Sequence, residues 1–531
     1  MKKALSFFLS MVVAGTSLAQ KPDASIDVLH YQFSVKLSDR SDRVEGEAQV
    51  KFNVLKETGT VNLDLTPVGA DGKGMAVSMV KEVTPVRFSH DEIGLHLQFE
   101  HALAPGTEHT VTITYGGIPR DGLIIGPNKY GKRGFFADHW PLRAQNWLPC
   151  VDHPADKATL TFIITAPQHY QVVANGKLTE ESNMPDGNKL TRYDEKVPLP
   201  TKVMVIGVAD FAVQEAGVVN CVPIQSWVYA EDREKGFHDY ADAVDVLPFF
   251  NERIAPFAYP KLANVQSKTR YGGLENAGAI FYFENSVTGE GKMPSLLSHE
   301  IAHQWFGDMA SEKEWAHVWL SEGFATYMSD LYMEHRFGRD TLLSLLRTQR
   351  AEVIAFSKKN QRPIVDSAAT DPMILLNANS YQKAGWVLHM MHEQMGDELF
   401  WKTVKAYYAR YGGSNASTED FQKVVEEHTG QDWSAFFHQW FYTPGQPDLD
   451  IRWKYGKGKK TLVLEIRQKQ PVPFRFPFEL EWKDAQGQSD LLKFDITERS
   501  TIRTIPVSSA IRQILPDPGT KTLAAFTVTA E

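Results

Sequence analysis

The sequence predicts an α+β multidomain protein with an N-terminal antiparallel β saddle or sandwich, a mainly helical middle domain and a small C-terminal β-sandwich. Three observations support this. Short alternating apolar runs divided by turn residues fill the N-terminal part, helical periodicity follows to about residue 447, and alternation then returns. The chain has 531 residues, 43% of them hydrophobic, which is enough for several domains with sizeable cores.

The N-terminus has the pattern of a secretory signal peptide. Two lysines precede an apolar run from Leu5 to Val13, and small residues lead up to Ala19. We expect residues 1–19 to be a signal peptide that is cleaved after Ala19. The signal has a bacterial form, so we expect the protein to be exported to the periplasm or the medium. A retained anchor is the alternative, but the run is too short to span a bilayer, so we expect no stable membrane insertion.

Residues 20–212 are predicted to form the N-terminal β domain. Apolar side chains alternate with polar ones between Val44 and Val54, as in a half-buried strand. The same alternation recurs around Leu97 and Ile113, and turn signals such as Asn175-Gly176 separate the runs. Several short strands with regular turns favour an antiparallel β architecture.

Residues 213–447 are predicted to form the helical domain, and residues 448–531 the C-terminal β-sandwich. Apolar positions recur with helical spacing in DAVDVLPFFNERI and YQKAGWVLHMMHEQM, and STEDFQKVVEEHTG begins with capping residues and ends at Gly430. In the last part, Leu462 and Leu464 begin one alternating run and Phe478 begins another.

The run LLSHEIAHQWFGD contains the residues of a metal site. His299 and His303 are four residues apart, so both imidazoles lie on one face of a helix and can reach one ion. Glu300 follows the first histidine, where it can take a proton from the metal's water. Pro294 and Gly307 are expected to mark the start and end of this helix.

A third ligand is predicted in a second helix. Glu322 lies nineteen residues past His303 in WLSEGFATYMSDLYMEHRFG, which Gly338 closes. Ser321 is expected to cap this helix and so to place Glu322 in its first turn, where the helix dipole favours a carboxylate. Two histidines and a glutamate make a three-ligand catalytic zinc set, so we expect one zinc ion per chain.

Three motifs together resemble one known family. The His299–His303 motif followed by Glu322, the segment Gly272-Gly273-Leu274-Glu275-Asn276, and the segment Tyr381-Gln382-Lys383-Ala384-Gly385 occur in the order found in the aminopeptidase N and leukotriene hydrolase family of zinc metallopeptidases. The first segment is similar to that family's Gly-Ala-Met-Glu-Asn signature. The third is similar to its Tyr-x-Lys-Gly-Ala segment with the last two residues exchanged. The resemblance implies a thermolysin-like catalytic domain.

The resemblance also implies roles for these residues. Glu275 would bind the free α-ammonium of a substrate, because a carboxylate near the scissile bond selects for that charge. The backbone of Gly272, Gly273 and Leu274 would lie beside the substrate, and Asn276 would shape the same loop. Tyr381 would stabilise the oxyanion through its hydroxyl.

The sequence therefore predicts a zinc-dependent aminopeptidase that acts on peptides with a free N-terminus, with Glu300 as the base. The formal charge of −9 argues against a nucleic-acid partner. Three alternatives stay open: a zinc endopeptidase of the same class, an epoxide hydrolase and an inactive scaffold. Each would be distinguished by its action on free and N-acetylated peptides.

One position departs from the family pattern. The family places a Gln or Glu ten residues before the cysteine of its Pro-Cys-x-Asp segment, and this chain has Trp140 there, ahead of Cys150. Trp140 is either a packed aromatic residue or a wall of the substrate pocket. Cys150 and Cys221 are either one disulfide or two free thiols.

Overall fold

A computed structural model describes residues 23–531, so the predicted signal peptide lies outside the described residues and stays a prediction. The described residues begin with fourteen strands, which precede the first sheet of the middle part. These strands are β1 (Ile26–Ser38), β2 (Ser41–Val54), β3 (Thr58–Leu63), β4 (Gly74–Lys81), β5 (Val86–His90), β6 (Leu95–Leu103), β7 (Glu108–Ile118), β8 (Leu123–Pro127), β9 (Arg133–Ala137), β10 (Ala158–Pro167), β11 (Gln171–Ala174), β12 (Lys177–Asn183), β13 (Asn188–Leu199) and β14 (Ile206–Ala209).

Neighbouring strands in these sheets pair antiparallel, as predicted, except for one pair. The largest sheet has seven strands in the order β12-β13-β10-β1-β2-β7-β4, flanked by sheets of four and three strands. Within it β1 and β10 run parallel, with His30 opposite Thr159. Alternation along a strand reports which face is buried but not the direction of its neighbour, so sequence periodicity could not reveal this pair.

The middle part combines a five-stranded sheet with nine helices. Its strands are β15 (Phe211–Val219), β16 (Val222–Tyr229), β17 (Leu262–Ser267), β18 (Gly273–Leu274) and β19 (Ala279–Phe283), with a short pair β20 (Ala310–Glu312) and β21 (Ser414–Ala416). Its helices are α1 (Arg233–Tyr240), α2 (Ala243–Arg253), α3 (Pro294–His303), α4 (Trp319–Phe337), α5 (Arg339–Ser357), α6 (Ala384–Met395), α7 (Asp397–Tyr411), α8 (Thr418–Thr429) and α9 (Ser434–Phe437).

Helix α4 is the centre of this helical part. Its side chains are buried without a break from Trp319 to Tyr332, because α3, α5 and α6 cover it on several sides. An aromatic stack beneath it joins Phe324 to Phe306 and Tyr407, with ring centroids 4.5 and 5.6 Å apart. This packing holds α3 and α4 rigidly against each other. Among residues 23–531, no helix is long and apolar enough to cross a membrane.

The C-terminal part is the predicted β-sandwich. Its strands are β22 (Asp448–Gly456), β23 (Thr461–Gln468), β24 (Phe476–Asp484), β25 (Ser489–Ile496), β26 (Ser500–Pro506), β27 (Ile511–Pro516) and β28 (Ala525–Ala530), in sheets of four and three strands. The loop after β27 docks on α5, where Arg350 donates to the buried Asp517 at 2.6 Å. Cys150 is buried, Cys221 is exposed, and both are free thiols.

Candidate active site

Helix α3 presents the predicted metal motif to a cavity of about 580 Å³. Pro294 is its first residue, where a missing N–H costs no hydrogen bond. The helix ends at His303, earlier than predicted, and the chain then turns through Gly307 at φ 121°. A Cβ at Gly307 would lie 2.3 Å from the Ser321 hydroxyl, so glycine is required for close contact with α4.

The three predicted metal ligands converge on one point. His299 Nε2 and His303 Nε2 are 3.1 Å apart, and Glu322 Oε2 lies 3.6 Å from the first and 3.2 Å from the second. Ligand atoms that surround one zinc ion tetrahedrally at its usual bond lengths are about 3.3 Å apart. The donor types and their spacing therefore fit zinc, with room for a fourth ligand on the cavity side.

Ser321 has a different role from the predicted helix cap. Helix α4 begins at Trp319, so Ser321 lies inside its first turn, next to Glu322. Its Oγ lies 3.0 Å from His303 Nδ1, which is also 3.1 Å from the Phe306 carbonyl oxygen. A carbonyl can only accept, so His303 Nδ1 carries a proton and Nε2 is the nitrogen that faces the ligand cluster.

The ligand cluster is strongly acidic and therefore attracts positive charge. Burial opposes protonation of His303, but the carboxylates of Glu322 and Glu275 raise its pKa to about 10. Burial likewise opposes ionisation of Glu322, yet His303 and His299 hold its pKa well below the usual range. A buried site that favours a cation between its ligands suits a divalent metal ion.

Glu300 lies beside this cluster and beneath strand β18. Burial, with the neighbouring carboxylates of Glu275 and Glu322, raises the pKa of Glu300 well above its usual value, so its proton affinity is high. A Cβ at Gly273 would lie 2.2 Å from Glu300 Oε1, whereas a Cβ at Gly272 would meet nothing within 4 Å. Close approach of the loop to Glu300 thus requires the second glycine and not the first.

Glu275 faces the same space with a free carboxylate oxygen. Only 5% of the residue is exposed, and its Oε1 has no hydrogen-bond partner among the described residues. The ligand-type atoms of Glu275, Glu300 and His303 all lie within 4.8 Å of one another. A buried carboxylate oxygen without a partner is costly, and a substrate ammonium would satisfy it. The neighbouring Leu274 lines the cavity, and Asn276 is buried behind it.

Gln304 fixes the position of Glu275, and the sequence reasoning missed it. Its Nε2 donates to the Glu275 carbonyl at 2.8 Å, and its Oε1 accepts from the Gly278 amide at 2.8 Å. The residue is 1% exposed. A glutamine directly after a predicted metal ligand gave no periodicity or spacing signal, so its contact with a loop 29 residues earlier could not be anticipated.

Tyr381 lies in a single π-helical turn, Asn379–Lys383, at the start of α6. Such turns insert one extra residue and are frequent at functional sites. The ring of Tyr381 stacks on His299 with centroids 6.1 Å apart. Burial, with the carboxylates of Glu322 and Glu275, raises the pKa of Tyr381 well above its usual value, so the hydroxyl keeps its proton and can donate it.

Trp140 is both packed and part of the cavity wall. It is 2% exposed, and its ring centroid lies 5.1 Å from that of Trp315 and 6.4 Å from that of Tyr271. It also lines the cavity. Asp138, two residues earlier, accepts from the Arg270 amide at 3.2 Å. This contact ties the Trp140 segment to the chain that leads into Gly272.

Comparison with known proteins agrees with this arrangement. Residues 239–440 match the peptidase family M1 domain, and residues 28–203 match the peptidase M1 N-terminal domain. The chain belongs to the peptidase M1 family. This confirms the resemblance to the aminopeptidase N family, and the two matched regions coincide with the β-rich N-terminal part and the helical part of the fold.

Several M1 relatives are similar over most of this chain. Aminopeptidase M1-A of Oryza sativa subsp. japonica is 26% identical over 80% of this chain and 50% of its own length. Glutamyl aminopeptidase of Homo sapiens is 26% identical over 72% of this chain and 42% of its own length. Leucyl aminopeptidase of Saccharolobus solfataricus is 24% identical over 80% of this chain and 54% of its own length. The chain spans about half the length of these relatives.

Proposed function

We propose that this protein is a zinc-dependent aminopeptidase that removes the N-terminal residue from peptides. The observation that carries the proposal is the pairing of two features in one cavity. One is the ligand set His299, His303 and Glu322; the other is the unpartnered carboxylate of Glu275 beside Glu300. The first supports hydrolysis, and the second supports selection of a free α-ammonium.

When bound, zinc would act as a Lewis acid at the scissile carbonyl and make a water more acidic. Glu300 takes the proton from the attacking water and gives it to the leaving amine. The Tyr381 hydroxyl donates to the developing oxyanion. Glu275 orients the substrate by its ammonium, so that only the first peptide bond reaches Glu300.

Hydrolysis of aminoacyl-4-nitroanilides tests the proposal. Each substrate is compared with its N-acetylated counterpart, with and without a zinc chelator. We expect cleavage of the free-amine substrates only, loss of activity with the chelator and recovery when zinc is returned, because acetylation removes the charge that Glu275 binds.

The same panel separates the alternatives. Equal cleavage of blocked and free substrates would favour an endopeptidase and contradict the role of Glu275. No cleavage by the zinc-loaded protein would contradict peptidase activity altogether and favour an epoxide hydrolase or an inactive scaffold.

A further inference from the structure

A further buried carboxylate in the cavity, besides those of Glu275, Glu300 and Glu322, has no role in the proposed hydrolysis. Asp330, on α4, is 4% exposed and lines the same cavity as the metal ligands. Its only hydrogen-bond donor within the described residues is Gln349 of α5, whose Nε2 lies 3.0 and 2.9 Å from the two carboxylate oxygens. Burial raises the pKa of Asp330 to about 7, and the Gln349 amide alone opposes this.

The neighbouring glutamine also has an unused acceptor. Gln349 Oε1 is buried and has no hydrogen-bond partner within the described residues, although Gln349 lines the cavity too. The two carboxylate oxygens of Asp330 and Oε1 of Gln349 thus lie in one wall of the cavity, and the Gln349 NH₂ group is the hydrogen-bond donor beside them. Buried carboxylates are normally paired with a cation, and such a pair is absent here within residues 23–531.

The position of this wall relative to Glu275 follows from helix α3. The Glu275 backbone is held by Gln304, just past the C-terminal end of α3. Asp330 lies at the opposite end, because its neighbour Ser329 donates to the Ser295 carbonyl at 2.9 Å, in the first turn of α3. Of the candidate ligands on α3, His299 lies between the two ends and His303 is the last residue of the helix. A peptide whose ammonium is bound at Glu275 therefore extends past the scissile bond toward Asp330.

The distance between Glu322 and Asp330 along α4 determines which residues of a bound peptide can reach this wall. Asp330 is eight residues after Glu322, which is about 12 Å along the helix axis. An extended peptide advances about 3.3 Å per residue. A long side chain on one of the first two residues after the scissile bond can cover the remaining distance.

The surroundings suit a long cationic side chain. Leu345, one helical turn before Gln349 on α5, and Leu296, next to Ser295, line the same cavity and offer apolar surface for a methylene stem. Lys292 also lines this cavity, but its side chain is 78% exposed and paired with Glu290 at 2.5 Å, so it does not neutralise the wall.

We propose that Asp330 and Gln349 form a specificity site for an arginine or lysine side chain located one or two residues after the scissile bond. The inference rests on the proposed aminopeptidase function and extends it to the choice of substrate. A guanidinium would donate to the Asp330 carboxylate and to Gln349 Oε1 together, which satisfies every open acceptor in this wall.

Peptides with arginine or citrulline test the proposal, because citrulline has the shape of arginine without its charge. The substrates are Leu-Arg-Ala-Ala and Leu-Ala-Arg-Ala, each beside its citrulline counterpart, assayed with the zinc-loaded protein. We expect kcat/KM to be at least about tenfold higher for arginine in one of the two pairs, as a buried charge-assisted hydrogen bond provides.

Variants then assign the effect to this wall. D330N is expected to abolish the arginine preference while leaving kcat/KM for the citrulline peptide within about twofold, and D330E is expected to retain part of the preference. Q349M, which removes Oε1, should weaken the preference. The control E352Q removes a negative charge from an exposed position of α5 outside the cavity, and it should keep the wild-type ratio.

The outcomes are distinct. Equal kcat/KM for arginine and citrulline in the wild-type protein would overturn this inference alone, since the peptides are still cleaved. An arginine preference that survives D330N would also overturn it. If neither the peptides nor leucyl-4-nitroanilide are cleaved, the proposed function fails and the inference fails with it.

Discussion

At the scale of single residues, Glu300 is expected to carry the proton transfer. E300Q keeps the size of the side chain and removes the base, so we expect kcat/KM on leucyl-4-nitroanilide to fall by about 10²- to 10⁴-fold. Bound zinc, measured by atomic absorption, should be unchanged, because Glu300 is not one of the three converging ligands. A loss of less than tenfold would contradict the assignment of the base.

Gly273 is expected to be the more sensitive of the two glycines in the loop. In G273A the new methyl carbon would lie 2.2 Å from Glu300 Oε1, so either the loop or the base must move. We expect G273A to lose at least about tenfold in kcat/KM. The matched variant G272A adds the same methyl group where nothing lies within 4 Å. If G272A loses as much activity as G273A, the steric explanation is wrong.

That the three candidate metal ligands lie together could be predicted, because metal chemistry fixes their spacing. Two histidines one helical turn apart and a glutamate in a second helix are visible in a linear sequence. The residues that hold them could not be predicted in this way. The contact of Gln304 with Glu275 and that of Ser321 with His303 depend on which segments meet in three dimensions. From the sequence alone, Ser321 is expected to be a helix cap.

At the scale of elements, the segment between β9 and β10 depends on a neutral histidine. His139 Nδ1 donates to the Thr201 carbonyl at 3.1 Å, and its Nε2 accepts from the Trp147 indole at 2.9 Å. Burial lowers the pKa of His139 to about 4. The unfolded chain binds this proton near pH 6.5, so the folded protein loses stability as the pH falls from about 6.5 to about 4.

The size of this effect follows from the pKa shift. Over the whole window it amounts to about 3 kcal/mol. We expect H139Q to show a smaller decrease in thermal unfolding midpoint between pH 7.5 and pH 5 than the wild-type protein, because it lacks the titrating group. The difference between the two proteins isolates His139 from the other groups that titrate in this range. Identical decreases would show that this histidine does not contribute.

The order and type of most elements could be predicted from periodicity, but their partners could not. Alternation indicated several of the strands in each β part, such as β2 and β23, and helical spacing indicated α3 and α4. The parallel pairing of β1 with β10 left no trace in the sequence pattern, because both strands alternate as antiparallel strands do. The π-helical turn at Tyr381 likewise depends on packing between α4 and α6, which periodicity does not report.

At the scale of the whole molecule, a buried ion pair joins the β-rich N-terminal part to the helical part that holds the candidate metal ligands. Lys202 Nζ lies 2.7 and 2.8 Å from the two oxygens of Glu312, and the side chains are 1% and 0% exposed. Lys202 follows β13, and Glu312 ends β20, nine residues after His303. Removal of one partner leaves an uncompensated charge in the interior.

We therefore expect K202M to destabilise the protein by about 3–5 kcal/mol and to lower its thermal unfolding midpoint. The double variant K202M/E312L removes both charges and should recover much of that loss, since a buried pair is often replaceable by apolar side chains. Differential scanning calorimetry of the wild-type, single and double variants measures this. A double variant no more stable than K202M would contradict the electrostatic explanation.

The parallel pair of β1 and β10 has a consequence for the growing chain. The two strands are joined across 129 residues, so β1 has only β2 beside it until β10 has been made. During that interval the backbone N–H and C=O groups on one edge of β1 (Ile26–Ser38) have no partner strand. The same strand carries apolar side chains that are buried in the folded protein. An open strand edge of this kind readily pairs with another chain. Truncation before residue 158 should therefore yield aggregates, even though nine strands of the N-terminal part, β1 to β9, would be present in full.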